Sequence, residues 1–199
     1  GDSFIEADIF TADLREMLQQ EFGGCGVGYV PVTSSISGYR PTVRHTFGGW
    51  SSHSSNDSVG FDKMQQDISG HYFYPREGAY VQLKGQHKYA SRLDTCEIST
   101  FYFLNKGFAA VRSKVNNAAE GELHEEVGTG GMQAVSVKGR IGQVRWSVEQ
   151  ADSATFYGVA MDGRQGISLD NFSVRGSSGL HLRSIPLRTD LWCIRPCRC

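Results

Sequence analysis

Proline is scarce in this 199-residue chain, at five, and no apolar run approaches the roughly 20 residues a membrane-spanning helix needs. Neither charge is in excess, since 20 basic and 21 acidic side chains leave a formal net charge of −1. That balance removes the electrostatic basis for a nucleic-acid partner or for attraction to an anionic membrane surface. No signal peptide and no membrane span are expected from the sequence. Histidines at metal-binding intervals are also missing: His45, His53, His71, His87, His124 and His181 show neither H-x-H nor H-x-x-x-H spacing. The five cysteines are an odd number and cannot all pair within one chain. Cys193, Cys197 and Cys199 crowd the C-terminus as C-x3-C-x-C, which is not a zinc spacing, so no metal and no other cofactor is expected.

What the chain has is enough apolar material for a core, with 39% hydrophobic against 21% charged residues, which excludes disorder as the main state. The length suits one or two domains. Glycine is abundant, at 24 residues. With few prolines and many Ser, Thr and aromatic residues, this composition suggests strands joined by tight turns.

Helical periodicity is confined to the N-terminus. Phe10, Leu14, Met17, Leu18 and Phe22 fall on one apolar stripe, with Arg15, Glu16, Gln19 and Gln20 off it, which predicts an amphipathic helix over about residues 4 to 22. Ser3 and Glu6 have capping-box spacing, and Gly23-Gly24 suits a left-handed C-terminal cap. Residues 23 to 75 read as irregular. Period-two runs follow at 79–83, 98–104, 108–115, 132–137, 144–148, 155–161 and 167–174. Seven short strands separated by Gly- or Asn-rich turns predict an antiparallel sandwich or jelly roll. The acidic stretch Glu120 to Glu126 reads as a solvated turn.

Gly1-Asp2-Ser3 opens the predicted helix. A serine there has its hydroxyl near the positive end of the helix dipole and beside free N–H groups able to hold an oxyanion, the setting of an acyl-transfer nucleophile. A plain N-cap is the simpler alternative. Two aromatic clusters, His45 to His53 around Gly48-Gly49-Trp50 and Tyr72-Phe73-Tyr74, lie in loop-like sequence. Exposed, Trp50 would stack on a sugar ring; buried, it is core, as Phe73 is expected to be.

The segments Gly1-Asp2-Ser3-Phe4-Ile5-Glu6-Ala7-Asp8, Leu14-Arg15, Leu18 to Gly23 and Gly26-Val27-Gly28-Tyr29-Val30-Pro31 together resemble the first motif block of SGNH/GDSL-type hydrolases. The resemblance is strongest to multi-domain members from Bacteroidetes-like bacteria, though Phe4 stands where these carry histidine. Gly166 to Gly179 is similar to the family's second block, a strand and a glycine turn. The resemblance implies Ser3 as nucleophile, Asp2 as the residue shaping its turn, and Gly179, in preference to Gly176, as an oxyanion donor. In some relatives, including peptidoglycan and polysaccharide O-acetyl esterases, a β-sandwich is inserted between the two blocks. The implied organisation is an SGNH segment at 1–45, a sandwich insert at 46–165, a return strand and glycine turn at 166–186, and an atypical tail at 187–199. The implied fold is thus α/β SGNH pieces flanking a mainly antiparallel sandwich, mostly β overall.

The family's later blocks have no counterpart here. No aspartate is followed three residues on by histidine, and no G-x-N-D occurs. A serine without a base is a poor nucleophile at neutral pH. The resemblance therefore implies an incomplete serine esterase with little activity of its own, related to enzymes that act on esters or O-acetylated glycans in the bacterial periplasm or cell envelope. A non-catalytic carbohydrate-binding sandwich is the alternative expectation.

Overall fold

The computed structural model describes residues 3–57, 59–87, 92–173, 179, 182, 183 and 185. Among these, two helices precede seven strands: α1 (Ser3–Glu6), α2 (Ile9–Phe22), β1 (Gly28–Pro31), β2 (Val43–Ser54), β3 (His71–Gly85), β4 (Cys96–Val115), β5 (Glu122–Val127), β6 (Met132–Ile141) and β7 (Gln143–Asp162). All pairings are antiparallel, in the order β2-β3-β7-β4-β5, with β1 added on β7 and β6 on β4. The molecule is mostly β, as its composition implied. No helix among the described residues is long and apolar enough to cross a membrane.

Two strands of 20 residues, β4 and β7, form the spine. Each contains two of the period-two runs seen in the sequence. The runs are not separate strands because bulges, between Asn105 and Phe108 for example, carry the ladder through with a shift of register. The bulges also let the sheet bend. Trp146 on β7 lies opposite Ser113 on β4. Yet its ring packs 5.6 Å from that of Phe101 and its indole N–H donates to Ser99 Oγ at 3.2 Å. Phe101 is 12 positions before Ser113 on the same strand (113 − 101), which would be roughly 40 Å along a straight strand. The sheet has to fold back on itself for these rings to meet, and the space it encloses is the main core. Phe101, Phe103, Trp146 and Phe156 sit at its centre, fully buried, with Val81, Leu83 and Val144 around them.

Several elements differ from the sequence expectation. Residues 43–54 and 71–75, expected to be irregular, are strand, so both aromatic clusters lie in the sheet rather than in loops. Glu122–Val127 pairs with Phe108 to Ser113 and is an edge strand, not a turn. Glu122 and Glu125 on it are exposed, and charge on an edge strand discourages pairing with another chain. Residues 167–173 form no strand among the described residues. A second layer covers the outer face, where Tyr72, Leu104 and Tyr157 pack under Phe61 from the 55–70 loop. Asp67 of that loop is buried and accepts from Tyr29 Oη at 2.6 Å.

His45 on β2 is buried, and its Nε2 hydrogen-bonds Val32 O at 3.1 Å. Burial pushes its imidazole pKa down to about 4, against the pull of that hydrogen bond. In the unfolded chain the value returns to ~6.5. Between these values the unfolded chain binds a proton that the native state excludes. The contribution of neutral His45 is therefore full above pH ~6.5 and is lost as pH falls towards the folded value, a loss of about 3 kcal/mol at ~1.4 kcal/mol per unit. Unfolding free energies measured by urea titration across this range should slope downward with acid, and His45→Asn should flatten the slope. In the same assay at neutral pH, Trp146→Ala should cost about 3–5 kcal/mol, and Ser99→Ala about 1 kcal/mol.

Candidate functional site

The N-terminal segment is two helices, not one. Asp8 adopts φ 63° and ψ 18°, a left-handed conformation that ends α1 after one turn and starts α2 in a new direction. Such a conformation is unusual outside glycine but tolerable for aspartate. Its carboxylate does not cap α2 and turns instead into a buried network. Arg15 Nη1 and Nη2 donate to its two oxygens at 2.9 and 3.0 Å, Thr42 Oγ1 donates at 2.7 Å, and the Thr11 hydroxyl donates as well. Both ion-pair side chains are wholly buried. Burial alone would raise the Asp8 pKa, but the hydrogen bonds and charge of Arg15, with the charge of Arg40, hold it below its ordinary value.

This network inverts the expected amphipathicity of α2. The face that packs on the protein is Ala12, Arg15 and Gln19. The apolar stripe points outward, with Phe10 64%, Met17 67% and Phe22 60% exposed and Leu14 and Phe4 exposed beside them. Periodicity identified the stripe correctly but could not say which face the rest of the chain would cover. Arg15 and Gln19 are buried because each finds backbone acceptors: Arg15 Nε donates to Leu169 O of the returning chain at 2.8 Å, and Gln19 Nε2 donates to Gly26 O, just past α2, at 3.1 Å and to Ile167 O of the returning chain at 3.5 Å.

The returning segment is thereby held against the N-terminal helices across more than 140 intervening positions. Ile167 N–H donates to Gly23 O at 3.0 Å, and Asp170 Oδ1 accepts from the Tyr29 N–H at 2.7 Å. Asn171 Nδ2 donates to Ile5 O and contacts Asp8 and Thr11. Phe172 packs on the Tyr29 ring at 5.1 Å. Gly166, at φ +89°, is where the two segments come closest: a Cβ there would lie 2.2 Å from the Gly23 carbonyl carbon, so only glycine fits.

Of the residues expected to form a nucleophile site, Ser3 is the first residue of α1. Asp2 lies outside the described residues, as do Gly176 and His181. Gly179 has φ +80°, a conformation suited to glycine, and its carbonyl closes a turn by accepting from Leu182 N–H at 3.0 Å. Trp50 sits on β2, half-buried, with its indole N–H donating to Tyr80 O at 2.8 Å and its ring edge-on to Phe156 at 5.5 Å. Nearby on the outer face, His53 stacks on Tyr72 at 4.6 Å, beside an exposed Tyr74. Among the described residues no group of three His, Cys, Asp or Glu is placed to hold a metal ion. Cys96 is buried and Cys25 half-buried, both as free thiols whose pKa burial raises, while Cys193, Cys197 and Cys199 lie outside the described residues.

Sequence reasoning missed the Asp8–Arg15–Asn171 network. Its signal was present, because an Arg and a Gln at i and i+4 on the face opposite an apolar stripe are either solvated or bound to something specific.

The fold resembles that of a protein of known structure. The chain superposes on a peptidoglycan O-acetylesterase with a TM-score of 0.68 at 20% identity, over 95% of its own residues and 49% of the other's. The chain thus spans about half the length of that neighbour. Weaker likenesses, with TM-scores of 0.38 and 0.36, link 67% of the chain to a family 35 carbohydrate-binding module from Clostridium thermocellum (11% identity, 96% of that chain) and to a family 29 module (10% identity, 91% of that chain). No family model and no curated protein matches the sequence.

The inverted helix yields a prediction that opposes the sequence pattern. Asp8→Asn should destabilise the fold by about 3–5 kcal/mol, because it leaves the Arg15 charge buried without a counter-ion. Met17→Glu, on the apolar stripe, should change unfolding free energy by no more than about 0.5 kcal/mol. Chemical denaturation of the two variants against the parent checks both.

Proposed function

We propose that the chain is the nucleophile-bearing part of an SGNH/GDSL-type serine esterase whose substrate class is an acyl ester, with O-acetyl groups on a glycan foremost. The observation that carries this reading is the docking of residues 166–173 on α1 and α2. It brings the two motif-like segments side by side with a folded sheet spanning the interval, and the shared fold with a peptidoglycan O-acetylesterase supports it. In this reading Ser3 Oγ attacks the acyl carbon, and the backbone N–H groups of Ser3 and Gly179 stabilise the oxyanion. Asp2 shapes the serine's turn. Asp8, Arg15 and Asn171 position α1, and so the serine, from below. Such an enzyme works on the bacterial cell envelope.

The chain has no D-x-x-H, so these 199 residues do not carry the base and orienting acid that this reading requires. In this reading those groups come from further polypeptide, for which the outward apolar residues Phe10, Leu14 and Met17 offer a surface, and the 49% coverage of the esterase supports the same view. The purified chain is therefore expected to hydrolyse p-nitrophenyl acetate no faster than its Ser3→Ala variant. Robust turnover abolished by Ser3→Ala would show that a base is already present.

A carbohydrate-binding sheet is the second reading, favoured by the exposed Tyr74 beside His53 and by the half-buried Trp50. Glycan-array binding lost on Tyr74→Ala or Trp50→Ala, and indifferent to Ser3→Ala, would support it.

A further inference from the structure

A cavity of about 930 Å³ opens where α2 ends, between Phe22 to Cys25, the Arg92–Glu97 region before and within β4, and the turn Arg164 to Gly166 that follows β7. It continues past Cys25, Glu97 and Arg164 into a smaller recess of about 380 Å³ whose far wall includes Arg140. Three arginines and one glutamate thus line a continuous groove. The carboxylate is already occupied, since Glu97 Oε2 accepts the backbone N–H of Arg164 at 2.7 Å. Arg92 is partly engaged through Nη1 to Gly24 O at 3.2 Å. The guanidinium groups of Arg140 and Arg164 make no hydrogen bond or ion pair among the described residues. At the mouth, the Phe22 ring is exposed.

We propose that this groove binds a saccharide bearing a carboxylate. Two unpaired guanidinium forks in one groove match the bidentate geometry of a carboxylate. The exposed Phe22 ring offers an apolar face to the C–H side of a sugar, as aromatic rings do at amphipathic ligands. The larger cavity lies within the range of small-ligand sites and has room for two or three sugar rings. The C-terminal end of α2 points here, and its dipole disfavours an anion. At an exposed helix end that effect is weaker than a hydrogen bond to a charged partner. It is reduced further because Gly23 O and Gly24 O already accept from Ile167 and Arg92. The groove uses neither Ser3 nor the residues that hold Asp8, so the inference does not depend on the esterase reading.

Isothermal titration of the full chain at low salt, with tri-galacturonate as probe and maltotriose and inorganic phosphate as comparators, tests it. Tri-galacturonate should bind with a Kd of about 1 mM or tighter and at least about tenfold better than either comparator. Arg140→Ala and Arg164→Ala, both at exposed positions, should each weaken tri-galacturonate binding about fivefold or more, with unchanged melting temperature. Phe22→Ala should weaken tri-galacturonate but not phosphate. Absence of tri-galacturonate binding, equal binding of maltotriose or phosphate, or full binding by the arginine variants would each overturn the proposal. Ser3→Ala should leave every value unchanged, which separates this result from the fate of the esterase assignment.

Discussion

The contact between Trp146 and the Ser99–Phe101 stretch is the constraint on which the rest of the architecture depends. A sheet built from two 20-residue strands has no intrinsic reason to close; its ladder is satisfied whether it lies open or folds. Only side chains on one face can reward the bend, and the largest of them, Trp146, does so with both ends of its indole. The ring meets Phe101 on one side and His124 on another, and the N–H, which would be costly to bury alone, finds a serine hydroxyl at the one place where the strand has returned. Bulges in β4 and β7 supply the flexibility, and the aromatic core supplies the direction.

Once the sheet is closed, the polar chemistry of the N-terminal segment follows from geometry. β1 adds to the β7 edge through Gly28 to Pro31, which fixes the chain leaving α2 against the chain leaving β7. Two irregular stretches in such proximity have backbone groups that no ladder satisfies, and those groups must be paired. Arg15, Gln19 and Asn171 do this. The buried ion pair of Asp8 and Arg15 is therefore better seen as a device for specificity of docking than as a source of stability, because an isolated buried pair returns little beyond its own desolvation.

The strand content was legible in the sequence because alternation of apolar and polar residues is local, and 98–104, 144–148 and 155–161 carry it plainly. The merging of runs into long strands was not legible, since a bulge leaves the composition of its neighbours intact. Glu122–Val127 was misread because charge on a solvated edge strand looks the same as charge on a turn. For the helix, the stripe was visible and its orientation was not: burial of a polar face depends on acceptors 148 and more positions away, which no window over the sequence contains. Ser3 and Gly179 were singled out by motif, a kind of signal that periodicity cannot provide.

The return of Ile167 to Gly23 has a consequence for how the chain acquires its structure. The two are 144 positions apart (167 − 23), and closing a flexible loop of that length would cost roughly 4 kcal/mol in chain entropy. The sheet removes this cost before the contact forms, because pairing of β1 with β7 already holds both ends at the same edge. The small set of hydrogen bonds that docks residues 167–173 on α2 then acts at nearly zero loop length and is sufficient. The N-terminal helices are in this sense a dependent unit, with an order of assembly in which the sandwich-like sheet comes first and the segment bearing Ser3 is set in place last.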